Sequence, residues 1–243
     1  MIKTRLDINI ILPNESHMSG YRVKYQTVTI GDMDFYIQSL KDHQQYHDPD
    51  GEAERLGISP DSWPLFGQVW PSSYVLATAM QAMNLQGKRI LELGAGLALA
   101  SLVVHSRGGN MTVSDYHPLI PTFLNENLRL NKLGPIRYEV ADWSRTDLEL
   151  GQFDLIIGSD LIYEYDHPAM LADFIDRHSA DQVEILMVDP DRQHRASFCE
   201  EMLEMEYTFH STRADCVLST GEAYKGSFLH FHRDEATLGL LSA

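Results

Sequence analysis

The stretch ILELGAGLALASL, residues 90–102, decides the architecture. It starts as a short run of core-type residues, turns at Gly94-Ala95-Gly96 and continues as an apolar helix. A strand entering a helix across a glycine turn is the opening unit of a sheet that carries helices on both faces. Glycines at that turn permit positive φ and let a ligand approach the backbone closely. Lys88–Leu93 is therefore read as strand and Ala98–Ser106 as helix.

The same alternation extends outward. Asn110–Ser114, Ile136–Ala141, Phe153–Ser159 and Val183–Val188 read as strands, and Pro121–Leu133, Ala169–His178 and Ala196–Glu204 as the helices between them. Ser72–Met83 has helical spacing, with Pro71 ahead of it as a start signal. Tyr207–Ser211 and Ser227–His232 follow as two consecutive strands, which predicts an antiparallel hairpin at one edge. The fold class expected is α/β: a doubly wound, mainly parallel, seven-stranded Rossmann-like sheet with that edge hairpin. Upstream, Tyr25–Ile30 and Met33–Ser39 flank Gly31-Asp32 and predict an N-terminal β-hairpin. The polar stretch 41–62 reads as loop, with a short helix around Glu52–Leu56. Residues 1–60 are taken as an extension and loop, and residues 61–243 as the main domain.

Composition narrows the class of partner. The formal net charge is -16, and no basic run exceeds two residues, which disfavours nucleic acid because phosphate binding draws on clustered Lys and Arg. The acidity serves solubility or attracts a basic protein. No apolar run reaches the roughly 20 residues of a membrane span. The first 17 residues lack the apolar core and cleavage site of an export signal. Cys199 and Cys216 form no metal or disulfide pattern, and no histidine pair has metal-ligand spacing. The expectation is a cytoplasmic monomer with no metal, membrane or nucleic-acid partner.

Four strand ends carry chemistry. After the glycine turn, Asp115 lies 21 residues beyond Gly94, placed to accept from ribose hydroxyls. A dinucleotide site wants a third glycine where this chain has Leu99. Glu92, two residues before Gly94, would repel a pyrophosphate but can receive an ammonium-bearing ligand, such as the methionine end of S-adenosylmethionine. Asp142 and Trp143 offer an acceptor for an adenine amino group and a flat stacking face. Ser159, Asp160 and Tyr163 follow the next strand, where a carboxylate and a phenol can hold and orient an amine; helix capping is the other use for Asp160. Trp70 walls the crevice or packs in the core. Asp189-Pro190-Asp191-Arg192 opens on the same rim, either as part of the site or as a turn with a surface ion pair.

Together these residues resemble class I, seven-strand methyltransferases, and more narrowly the family 16 protein-lysine methyltransferases, which act on calmodulin, chaperones, elongation factors and a flavoprotein subunit. The resemblance covers roughly residues 64–232, and the N-terminal hairpin is similar to the family's β extension. It implies S-adenosylmethionine as cofactor, held by Trp70, Glu92, Gly94, Gly96, Asp115, Asp142, Trp143 and Ser159. It implies a protein lysine as acceptor, with Asp160 and Tyr163 catalytic in a D-x-x-Y segment. The chain departs from the family at Leu97-Ala98, where another glycine is usual, and in SDYHPLIP. The segment DPDRQHR matches no branch closely. Three other readings are a methyltransferase for small molecules or other side chains, a non-catalytic S-adenosylmethionine-binding module, and a nicotinamide oxidoreductase.

Overall fold

The computed structural model describes residues 20–218 and 221–234. The opening segment read for an export signal lies outside the described residues.

The chain enters as a hairpin, β1 (Val23–Ile30) against β2 (Met33–Leu40), paired antiparallel through Ile30↔Met33 across the Gly31-Asp32 turn. A one-turn helix α1 (Glu52–Arg55) and a 3-10 turn (Trp63–Gly67) lead to α2 (Pro71–Ala82). The 3-10 turn was not anticipated. Then come β3 (Arg89–Leu93), α3 (Leu99–Ser106), β4 (Asn110–Asp115), α4 (Ile120–Leu130) and β5 (Arg137–Val140). The second half runs β6 (Phe153–Ser159), α5 (His167–His178), β7 (Ser179–Asp189), α6 (Arg195–Glu204), β8 (Thr208–Arg213) and β9 (Ser227–Arg233).

The sheet has seven strands in the order β5-β4-β3-β6-β7-β9-β8. β3, β4, β5, β6 and β7 pair in parallel, while β9 pairs antiparallel to both β7 and β8. The closing hairpin is therefore present, with β9 inserted inside β8. Successive residues of the central strands feed opposite faces, as a pleated strand requires. Ile90, Val113, Leu155 and Ile157 join one core with α2, α3, α4 and the hairpin. Leu91, Leu93, Ile156 and Ile185 join the other with α5 and α6.

Two element ends differ from expectation by three residues or more. α4 stops at Leu130 rather than Leu133 because Lys132 turns left-handed at φ 56. Lys132 N then donates to Arg129 O and Leu133 N to Leu128 O, closing the helix with paired reverse bonds. β7 starts at Ser179, directly after α5, with no loop between them.

The hairpin docks through α4. Asn127 and Asn131, one turn apart, address the backbone of β2: Gln38 N donates to Asn127 Oδ1 (2.7 Å) and Tyr36 N to Asn131 Oδ1 (2.8 Å). Their amide nitrogens donate back to Gln38 O (3.4 Å) and Tyr36 O (2.8 Å). Ile30, Phe35, Ile37 and Leu40 complete the attachment by joining the main core.

Candidate functional site

The chain leaves β3 toward β4 and β5, then returns on the other side as β6. Loops after β3 and β6 therefore run apart, opening a crevice at the carboxyl ends of those strands. A cavity of about 770 Å³ lies there. Its wall includes Trp70, Gly94, Gly96, Asp115, Asp142 and Trp143 from one half, and Ser159, Asp160 and Tyr163 from the other.

The glycine turn is shaped by steric necessity. Gly94 and Gly96 have φ of 52 and 53. A Cβ on Gly94 would meet Leu161 Cδ2 at 2.6 Å, and one on Gly96 would meet the carbonyl oxygen of Phe66 at 3.0 Å. Ala98, standing where a further glycine was the usual choice, also takes a left-handed φ of 58 and caps α3 without a side-chain bond.

Glu92 requires a correction, because it does not line the cavity. It is buried on the α3 side of β3, and its carboxylate accepts from Ser101 N (2.9 Å) and from Ser101 Oγ. Ser101 belongs to the first turn of α3, whose amides lack a capping side chain. Glu92 supplies that cap from the neighbouring strand, next to the positive end of the helix. Burial nevertheless pushes its carboxyl up to about 7.

Asp115 ends β4 buried at the cavity wall. Its Oδ2 accepts from Gly96 N (2.9 Å) and its Oδ1 from His117 N (3.0 Å), so the carboxylate ties the glycine turn to the next strand end. Burial raises its carboxyl above the usual range against those bonds. His117, unanticipated, stacks on Phe66 with ring centroids 3.9 Å apart. Its Nδ1 accepts from Leu119 N (3.2 Å), which leaves the proton on a buried, unpartnered Nε2. Burial lowers its titration to about 3, so the ring is neutral.

Asp142 Oδ1 is engaged by Ser144 N (2.9 Å) and Ser144 Oγ (2.6 Å), a local turn that sets the carboxylate on the rim. Trp143 packs edge-on to His167 at 5.4 Å. Trp70 is half-buried, donates Nε1–H to Leu65 O (2.8 Å) and lines the cavity.

Asp160 caps no helix; α5 begins after Asp166 instead. Its backbone is left-handed, φ 57. Its carboxylate takes a two-pronged ion pair from Arg192, Nε to Oδ1 at 2.7 Å and Nη2 to Oδ2 at 3.0 Å. Tyr163 packs on His167 at 4.7 Å, and burial holds its phenol protonated well above the ordinary range. Reading along the chain had put Asp189–Arg192 on the rim without giving Arg192 a role. Tyr116, beside Asp115, also lines the cavity.

A seven-stranded sheet in this order, with a cavity at its switch point, is the fold also seen in S-adenosylmethionine-dependent methyltransferases. Residues 62–205, more than half of the chain, match the lysine methyltransferase family model, and the chain belongs to that family. It is 31% identical over 144 residues to "Protein N-lysine methyltransferase METTL21A" of Danio rerio, covering 54% of this chain and 65% of the relative. The Xenopus tropicalis protein of that name is 29% identical over 186 residues, covering 71% of this chain and 84% of the relative. The solved structure of T. thermophilus 16S rRNA N2 G1207 methyltransferase (RsmC) in complex with AdoMet and guanosine superposes with a TM-score of 0.60 at 14% identity. That match covers 87% of this chain and 50% of RsmC, and the likeness is one of fold.

S-adenosylmethionine suits this cavity. Gly94 and Gly96 put main chain without side chains on the wall, and acids dominate the rest of it: Asp115, Asp142, Asp160, Glu164 and Asp166 against Arg192. Such a lining favours a ligand carrying a sulfonium and an ammonium.

Proposed function

We propose that the protein transfers a methyl group to the ε-amine of a lysine on a protein partner, acting as a cytoplasmic monomer. The observation that carries this reading is that Asp160 and Tyr163 line the same cavity as the glycine turn. Bound S-adenosylmethionine supplies a methyl group already activated as an electrophile. The work left to the chain is to hold, orient and desolvate.

Gly94 and Gly96 receive the methionine end against bare backbone. Asp115 accepts from ribose hydroxyls, and Asp142 with Trp143 and Ser159 borders the adenine. Trp70 closes the near wall. Asp160 holds the incoming nitrogen, and the protonated Tyr163 hydroxyl orients it.

The test is labelling of a cell extract with tritiated S-adenosylmethionine, followed by mass spectrometry. Tritium on lysine of a protein is expected; tritium confined to small molecules or to other side chains overturns the reading. Asp160→Ala is expected to lower transfer by about 10²–10⁴-fold while S-adenosylhomocysteine binding stays within about threefold. An equal loss of both would move Asp160 to the cofactor side.

A further inference from the structure

The turn after β7 is built around one side chain. Asp189 ends that strand buried, and its Oδ1 accepts from Arg192 N at 2.9 Å. Asp191 is left-handed at φ 62, with its carboxylate held by Arg195 and Arg213 at 2.5 and 2.8 Å. Arg192 is thereby delivered to the cavity, where it is the one Lys or Arg among the described lining residues. Its partner Asp160 is also anchored: Asp160 N donates to Val188 O (2.9 Å), and its backbone is left-handed at φ 57. The Asp160 side chain is 13% exposed and that of Arg192 43%, so the carboxylate is mostly covered while the guanidinium reaches solvent.

We propose that Arg192 is a positioning residue for the acceptor amine, neutralising Asp160 while keeping its carboxylate in place. The inference rests on the lysine reading above and deepens it. Methyl transfer needs a nitrogen lone pair, so a lysine that arrives as ammonium must first give a proton to solvent. An unpaired carboxylate within about 4–6 Å favours the ammonium and opposes that loss. With the guanidinium already on Asp160 the carboxylate still accepts a hydrogen bond, but its charge no longer fixes the proton. The neutral nitrogen then forms the N–C bond as the C–S bond breaks. The electron pair of the broken bond stays on sulfur, and the positive charge passes to the methylated nitrogen.

Tyr163, Asp189 and Tyr224 lie near enough to Asp160 to feel its charge, and Asp115, Tyr116, Glu164 and His167 line the same cavity. Of these only His167 can carry a positive charge, and its Nδ1 is held on Leu161 O at 2.6 Å.

The test is the maximal rate of tritium transfer to extract lysine from pH 6 to pH 10 in wild type, Arg192→Gln and Arg192→Lys. The Gln variant is expected to move the acid limb up by about one pH unit, losing about tenfold in rate at pH 7.5 and recovering at high pH. The Lys variant should keep the limb near its wild-type position. A loss by Arg192→Gln of one constant factor at every pH overturns the proposal, as does a limb moved equally by Lys. In the cofactor-free protein the Arg192 Nε–H resonance should shift on Asp160→Asn, and an unmoved resonance also overturns it. Lysine labelling in the wild type tests the parent reading, whereas the displacement between variants tests this one.

Discussion

Glu92 shows how a residue can be read correctly as special and wrongly as to purpose. Its position before the glycine turn was visible in sequence, but its direction was not. Strand alternation sends it toward α3, whose first-turn amides need an acceptor that Ala98 cannot provide. Its burial has a measurable consequence. The folded carboxyl titrates at about 7 against an ordinary 4.5, so the native state keeps a proton that the unfolded chain loses across that window. Stability from this group is complete below pH 4.5 and falls as pH rises to about 7. Glu92→Gln should therefore gain on wild type by an amount on the order of 1–3 kcal/mol between pH 4.5 and pH 8, read from urea midpoints. Parallel pH profiles would dismiss the idea. The Asp160–Arg192 pair was not legible for a different reason: its partners lie 32 residues apart, joined only by the adjacency of β6 and β7.

Elements were the most readable level. Buried parallel strands such as FDLIIGS announce themselves because both faces are apolar, and the hairpin because Gly31-Asp32 permits a tight reversal. The helix α4 was overrun because Lys132 adopts a conformation that Gly or Asn would have advertised. The 3-10 turn at Trp63–Gly67 escaped notice because it is held by tertiary contacts, Trp63 and Phe66 packing edge-on at 5.8 Å and both on His117. The docking of the hairpin was equally invisible, since two asparagines in a helix carry no periodic signal. Asn127→Ala removes a buried acceptor for Gln38 N and a donor to Gln38 O, and should cost about 1–3 kcal/mol in urea unfolding. Asn131→Ala, only partly buried, should cost less; equal or negligible losses would mean that apolar packing alone fixes the hairpin.

At the scale of the molecule, the cavity joins the two halves of the sheet, so a ligand bound there stabilises the whole. S-adenosylhomocysteine at about 100 times its Kd should add about 2.7 kcal/mol, raising Tm by about 5–10 °C for a chain of this size. NAD should leave Tm unchanged, and the reverse pattern would contradict the assignment of the glycine turn. What sequence conveyed at this scale was the order of elements and the acid-rich lining; the pairing of Arg192 with Asp160 needed the fold. The asparagine contacts on β2 have one more consequence. A two-stranded ribbon offers unsatisfied amides and carbonyls from which a foreign chain can template another strand. Along this edge the groups of Tyr36 and Gln38 are already engaged by side chains, so the extension is closed there to strand addition and to the aggregation that such addition begins.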